Sequence, residues 1–178
     1  MTGEKKVAVF CSASYGIQPK YNAAAREAVR ALHALGWTLV SGGAIKGTMG
    51  VIAEESYRCG GRHFGVIPRF MEGLEFPHLT GLVWTDTMSE RKEAMREGTQ
   101  AVIALPGGVG TLDELIETHV LAKLGRYGGR IFALNLDGFY EPFKQLLDHY
   151  VSTGMLDPAS RALIAFPETV EELTAYFR

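Results

Sequence analysis

Short apolar runs alternate with longer helical stretches along the whole chain. The run at 7–11 is continuously apolar, and the alanine-rich stretch at 19–35 has a helical composition and ends at Gly36. Further strands are predicted at 37–40, 64–67, 82–84, 101–105 and 131–134. Further helices are predicted at 48–58, 88–97, 112–124, 142–151 and 167–177. Continuous apolar strands separated by helices are typical of a parallel sheet covered on both faces. We therefore predict one α/β domain over 1–178, built on a doubly wound parallel sheet.

Composition and charge exclude several classes of partner. A net charge of −2 over 178 residues gives no electrostatic basis for binding nucleic acid or an anionic membrane surface. No apolar run reaches membrane-spanning length, and the polar start of the chain is unlike a secretory signal. The two cysteines, Cys11 and Cys59, are consistent with reduced thiols. We expect a cytoplasmic protein with no nucleic-acid or membrane partner.

A glycine-rich turn follows the predicted strand at 101–105, and ligands of parallel sheets bind outside the carboxyl ends of strands. Gly107, Gly108 and Gly110 allow close backbone approach, and Thr111 can donate a hydroxyl hydrogen bond. The helix that follows offers free amides and a positive dipole end, which favours a phosphate. No lysine follows the glycines as a P-loop requires, and Asp113 occupies the last glycine position of a dinucleotide fingerprint. The turn predicts a phosphate site of another kind.

The spacing of Thr111 and Glu114 has a second interpretation. Threonine followed three residues later by glutamate is the pattern of a capping box, which stabilises a helix start by about 1 kcal/mol. A glutamate tied back to the helix start is not free to reach a substrate. Both interpretations are open at the level of sequence.

A second glycine loop lies at 41–50, between a predicted strand and a predicted helix. Gly50 falls in the first helical turn, where glycine costs about 1 kcal/mol relative to alanine. Close approach of a ligand and tight packing of the backbone are equally good reasons for that cost.

Arg91 falls in the middle of the apolar side of the predicted helix at 88–97, together with Met88 and Met95. A guanidinium keeps its charge and is expensive to bury alone. Arg91 therefore requires an anionic partner, either a protein carboxylate or a ligand.

The predicted helix at 112–124 is apolar nearly all round, so we expect it to be buried on every side, with one side at a subunit interface. The five histidines show no metal-ligand spacing with one another or with the cysteines, so no metal site is predicted.

Three motifs together resemble those of the LONELY GUY (LOG) family. The segment at 106–114 matches the family motif PGGxGTxxE, 89–92 lies where the family has its ERK segment, and 42–50 is similar to its glycine loop GGGxxGLMG. The resemblance covers nearly the whole chain. It implies a Rossmann-like fold, a homodimer, and hydrolysis of the N-glycosidic bond of a nucleoside 5′-monophosphate without a cofactor.

The resemblance also assigns roles to residues. It implies that Arg91 and Glu114 are the catalytic pair, and that Gly107, Gly108, Gly110 and Thr111 hold the substrate phosphate. Cleavage builds positive charge on the ribose C1′, which a carboxylate stabilises. Further contacts with the nucleotide substrate are expected from four residues: Ser12, Gly43, Met88 and Lys92.

The chain departs from the family pattern at several positions. Ala44 replaces a usual glycine, Thr48 a leucine, Ser89 a common histidine and Lys123 a frequent glutamine. We expect these changes, with the rest of 117–125, to lie near the base pocket and the interface, which leaves the base unidentified. The alternative function is non-catalytic binding of a nucleotide or molybdenum cofactor on the same fold. A pyridoxal-phosphate decarboxylase is disfavoured because no lysine has a recognisable Schiff-base context.

Overall fold

A computed structural model describes residues 4–178, and residues 1–3 of the predicted domain lie outside it. The strands are β1 Lys6–Phe10, β2 Thr38–Ser41, β3 His63–Pro68, β4 Gly81–Thr85, β5 Ala101–Ala104, β6 Arg130–Ala133 and β7 Ile164–Ala165. The helices are α1 Pro19–Ala34, α2 Gly47–Arg58, α3 Met88–Arg96, α4 Val109–Lys123, α5 Glu141–Ser152, α6 Pro158–Arg161 and α7 Val170–Ala175.

All seven strands are parallel and follow the order β4-β3-β2-β1-β5-β6-β7. The chain moves outward from β1 to β4 and then returns to place β5 against the other side of β1. Val9 is thus the register partner of Ser41 on one side and of Ile103 on the other. The point where the order reverses lies between β1 and β5, which is where open α/β sheets bind ligands. The prediction of a doubly wound parallel sheet is confirmed.

The centre of the sheet is buried on both faces, as its continuously apolar strands predict, whereas Val83 of the edge strand β4 is 44% exposed. Val7 and Val9 of β1 pack into one core with α1 and α7, whereas Ala8 and Phe10 point to the opposite core with α4 and α5. All four side chains are at most 2% exposed. Alternate residues of one strand therefore anchor both helical layers, and each large side chain contributes about 1.5–3 kcal/mol by burial.

Two helices, α4 and α7, differ from the prediction by more than one residue at a boundary. Helix α4 begins at Val109 rather than at 112, because Gly108 takes the N-cap position with an extended backbone. Helix α7 spans only Val170–Ala175, since Thr169 caps its start by accepting a hydrogen bond from the Glu172 amide. The short elements α6 and β7 were not predicted, because four and two residues carry too little periodicity.

In the single chain helix α4 is not buried on every side, and burial of its outer side depends on the expected subunit interface. Val109, Val120 and Leu124 are 87%, 47% and 64% exposed. The inner side is buried instead, with Leu115 at 0% exposure against β1 and β5. Helix α4 thus presents an apolar strip to its surroundings.

None of the helices within residues 4–178 is long and apolar enough to cross a membrane.

Candidate active site

A cleft of about 270 Å³ opens at the carboxyl ends of β1, β2 and β5, where the strand order reverses. The cleft is lined by the segment from Cys11 to Ser14, by Gly42 and Met49, and by the first turn of α4. Arg91 and Glu114 line it as well. The sheet topology therefore brings together residues that are far apart in the sequence.

Arg91 and Glu114 form a buried ion pair across the cleft. Arg91 Nη1 donates to Glu114 Oε1 at 3.3 Å, and Arg91 Nε donates to the Val66 carbonyl at 3.0 Å. The two residues are only 6% and 7% exposed. The anionic partner that Arg91 requires is thus Glu114, which the sequence alone did not establish. A buried pair of this kind loses about 3–5 kcal/mol when one partner is removed, because the other charge stays buried.

Burial raises the pKa of Glu114 to about 7. The Arg91 guanidinium opposes this shift by stabilising the carboxylate, and the neighbouring Asp113 adds to it by repulsion. Glu114 therefore binds a proton more tightly than an ordinary glutamate does, which suits a group that exchanges protons in the reaction.

The first glycine of the second glycine loop forms the wall behind Arg91. A Cβ on Gly42 would overlap Arg91 Nη2 and lie 2.6 Å from Met49 Sδ. Gly43, the residue expected to contact substrate, does not line the cleft: it packs against Gly65, with its amide donating to Ser41 Oγ at 3.1 Å. The close approach at this loop thus belongs to Gly42, and the sequence did not distinguish the two.

Tight backbone packing accounts for the other glycines of this loop. A Cβ on Gly47 would lie 2.7 Å from the Ser12 carbonyl oxygen, and a Cβ on Gly50 would overlap the Ile45 carbonyl. The Met49 amide donates to the same Ser12 oxygen at 3.2 Å. The first turn of α2 is therefore occupied by the chain itself, so packing rather than a ligand explains Gly50.

The first turn of α4 is arranged differently, because its residues Val109, Gly110 and Thr111 line the cleft. Amides in a first helical turn have no acceptor within the helix. Apart from the adjoining residues and the backbone of the helix itself, no heavy atom of the described chain lies within 4 Å of a Cβ built on Gly108 or Gly110, whereas a Cβ on Gly107 would overlap Thr111 Oγ1. Thr111 is 3% exposed, and its hydroxyl has no hydrogen-bond partner within residues 4–178. An anion on this turn would find free amides and a free hydroxyl.

The capping-box interpretation of Thr111 and Glu114 is wrong. Thr111 is the third residue of α4 and caps nothing, and the Glu114 carboxylate accepts a hydrogen bond from Arg91. The capping box of this region lies instead at the start of α3, where Thr87 and Glu90 each accept from the other's amide, at 3.1 and 3.2 Å.

The remaining predicted contact residues are dispersed. Ser12 is buried at the floor of the cleft, where its Oγ accepts from the Ser14 amide at 3.0 Å, and Met88 lines the rim at 43% exposure. Gly107 borders an adjoining cavity of about 230 Å³ that also touches Ser12 and Ser14. Lys92 does not line the cleft, because its ammonium contacts Asp113 and Glu117.

The departures from the family pattern at Ala44, Thr48, Ser89 and Lys123 do not line the cleft, and their expected place near the base pocket and the interface stays a prediction. Thr48 donates to Asn22 at 2.9 Å, and Ala44 bridges to Glu75. On α4, the buried His119 contacts the Ser160 carbonyl at 2.7 Å. None of the residues at 117–125 lines the cleft. These changes alter packing around the site rather than its lining.

The cleft has no arrangement suited to a metal or to a lysine-bound cofactor. Among residues 4–178, no three histidine, cysteine or acidic side chains are grouped to hold a metal ion. No lysine of the described chain lines the cleft, so no side chain is placed there to form a Schiff base. Burial raises the pKa of Cys11, which keeps this cleft thiol protonated.

Sequence comparisons identify close relatives of the chain. A family model described as possible lysine decarboxylase matches residues 49–177. The cytokinin riboside 5′-monophosphate phosphoribohydrolase of Mycobacterium tuberculosis is 35% identical over 174 residues, covering 97% of this chain and 92% of that protein. The enzyme of that name from Oryza sativa, LOG, is 37% identical, covering 95% and 71%. A third, LOG5 of Arabidopsis thaliana, is 35% identical, covering 97% and 78%.

Structural comparisons find the same fold in more distant proteins. The molybdenum cofactor binding protein of Rippkaea orientalis aligns with a TM-score of 0.75 at 17% identity, over 99% of this chain and 96% of that chain. The molybdenum cofactor carrier protein of Chlamydomonas reinhardtii aligns with a TM-score of 0.74 at 18% identity, over 98% and 96%. At these identities the likeness concerns the fold alone.

Proposed function

The chain belongs to the LOG family, and on that premise we propose that it hydrolyses the N-glycosidic bond of a nucleoside 5′-monophosphate, releasing the free base and ribose 5-phosphate. Arg91 and Glu114 are the proposed catalytic pair. Gly107, Gly108, Gly110 and Thr111 are the proposed phosphate cradle.

One observation carries this proposal: a buried arginine–glutamate pair lies directly beside an open helix start. The Thr111 hydroxyl and the first-turn amides of α4 are free to bind a phosphate, and Glu114 lies one helical turn further along. A nucleotide whose 5′-phosphate rests on this turn brings its ribose to the ion pair. Ser12 and Met88 then border the sugar and the base.

The reaction follows from the charge that develops on the sugar. As the C1′–N bond breaks, its electron pair leaves with the base, and positive charge builds on C1′. The Glu114 carboxylate stabilises that charge and orients a water, whose hydroxyl bonds to C1′. The proton of the water passes to Glu114 and then to the departing base, which a pKa near 7 allows in both directions. Arg91 holds the carboxylate in place and binds substrate oxygens.

The test is release of free base. The protein is incubated with AMP and with isopentenyladenosine monophosphate, and free base is separated by chromatography. The same nucleosides without phosphate should be poor substrates, because they leave the cradle without its anion. If the protein released no free base from any member of a broad panel of nucleotides, the proposal would be refuted. Tight nucleotide binding without turnover would favour a carrier protein instead.

A variant pair then tests the role of Glu114. Glu114→Gln should abolish turnover while nucleotide binding persists. The matched control is Glu141→Gln, which alters a glutamate at the surface start of α5 and should keep full activity. Turnover by Glu114→Gln would assign the chemistry to another group.

We further propose that the protein is a homodimer joined through α4. Val109, Leu112, Val120 and Leu124 are spaced by three, eight and four residues, so they follow one side of the helix, and all are more than a third exposed. A second copy would bury this strip, as monomers rarely expose extended apolar patches.

The two free cysteines support a reducing, cytoplasmic location.

A further inference from the structure

Helices α3 and α4 are joined by ion pairs in addition to the one between Arg91 and Glu114. Lys92 Nζ lies 2.9 Å from Asp113 Oδ2 and also contacts the Glu117 carboxylate. Arg96 Nη2 lies 2.6 Å from Glu117 Oε1. Two cations of α3 thus share one carboxylate of α4. We call Lys92, Arg96, Asp113 and Glu117 the interhelical clamp.

The inner part of the clamp is shielded from water. The side chains of Lys92 and Arg96 are 13% and 8% exposed, and that of Glu117 is 31% exposed, whereas Asp113 is 59% exposed. Water and salt screen exposed ion pairs, so the ion pairs with Glu117 contribute more to the attraction between α3 and α4 than the ion pair with Asp113 does. The clamp begins one residue from the catalytic pair on each helix, since Lys92 follows Arg91 and Asp113 precedes Glu114.

We propose that Lys92 and Arg96 are positioning residues, which act through Glu117 to hold α3 and α4 at the separation where Arg91 meets Glu114. The proposal rests on the function proposed for that pair. It replaces the expectation that Lys92 contacts substrate, because the Lys92 ammonium already has two carboxylate partners and lies outside the cleft lining.

The charges of the clamp also affect the pKa of the catalytic carboxylate, Glu114. Lys92 and Arg96 lower the pKa of Glu114, whereas Asp113 raises it. The charged and titratable groups around Glu114 come from four elements: Arg91, Lys92 and Arg96 on α3, Asp113 on α4, Cys11 after β1, and Tyr140 before α5. Lys92 is the most convenient to vary, since Arg91 itself belongs to the catalytic pair.

The kinetic test is Lys92→Met. Loss of the ion pair between Lys92 and Glu117 should let α3 shift relative to α4. Misplacement of a catalytic group lowers the rate by about 10- to 100-fold. The loss should appear in kcat, with KM unchanged, and Lys92→Arg should restore most of it. The control is Lys144→Met, which breaks a 3.4 Å ion pair with Glu141 on the distant helix α5. An unchanged kcat with a raised KM would show that Lys92 binds substrate and would overturn the proposal.

The second test requires no turnover, so it separates this proposal from the proposed function. The Glu114 carboxyl carbon is followed by 13C NMR against pH, and its signal is assigned with Glu114→Gln. Lys92→Met should raise the midpoint of the titration, because a cation is removed. Asp113→Asn should lower it, because an anion is removed while the Lys92–Glu117 bond persists. A midpoint that neither variant moves would overturn the proposal, whether or not the wild-type protein releases base.

Discussion

Replacing Gly110 with alanine separates the binding of a phosphate from the stability of the fold. Gly110 is the second residue of α4. Apart from its chain neighbours and the backbone of its own helix, no heavy atom of the described chain lies within 4 Å of a Cβ built on it. Alanine in a helix is favoured over glycine by about 0.5–1 kcal/mol. In a domain of this size that gain raises the melting temperature by about 1–4 °C.

The same methyl group should weaken substrate binding. Side chains of a helix tilt toward its amino terminus, so the Cβ of Gly110 points to the space in front of the first turn, where the phosphate is proposed to lie. Moving the anion away from one amide costs about 1.5–3 kcal/mol, the range for hydrogen bonds to charged groups. That loss corresponds to a KM raised by about 10- to 100-fold.

The assay combines thermal unfolding with base release as a function of nucleotide concentration. Gly128→Ala is the matched control, because its Cβ also meets no atom within 4 Å and Gly128 lies away from the cleft. The control should leave KM unchanged. If Gly110→Ala were more stable and had an unchanged KM, the phosphate would not rest on α4 and the proposed cradle would be wrong.

Four further predictions concern the ion pair and the apolar strip. Gly42→Ala should lower kcat by at least about 100-fold, because the Cβ of the alanine would displace the Arg91 guanidinium. The rate of the variant should be compared with that of the folded wild-type protein. The kcat/KM of the wild type should fall about tenfold per pH unit below about 7, where Glu114 becomes protonated; a flat profile down to pH 5 would contradict the role of its carboxylate. The stability contribution of Glu114 has the opposite trend: its raised pKa means that the folded state binds the proton more tightly, so the free energy of unfolding should decrease from about pH 4.5 to about 7 in urea titrations. Val120→Lys together with Leu124→Glu should yield monomers in sedimentation, whereas a wild type that is already monomeric at high concentration would refute the dimer.

The sequence predicts the sheet well because its central strands are buried on both faces. In β1 the four residues after Lys6 are all apolar and buried, and that pattern has few other interpretations. The sequence predicts the start of α4 three residues too late, since Gly108 and Val109 carry none of the usual side-chain signals of a helix start. Local spacing thus predicts elements more reliably than their ends.

The site was predicted in part, and the limits have a physical cause. The charge of Arg91 on an apolar helix side indicated that a partner exists, but the partner is set by the fold, since Glu114 lies 23 residues away on another helix. The spacing of Thr111 and Glu114 imitates a capping box that the real helix start makes impossible. Which glycine faces Arg91 and where the Lys92 ammonium lies depend on three-dimensional packing, so no sequence pattern identifies them.

The reversal of the strand order has a consequence for how activity is acquired. Arg91 precedes β5 and belongs to the half of the sheet that runs outward from β1, whereas Glu114 follows β5 and belongs to the other half. The pair forms only when the two halves close along the β1–β5 seam. A chain cut near Gly98 should therefore give two inactive fragments, and recovered base release on mixing them would report reassembly of the whole sheet.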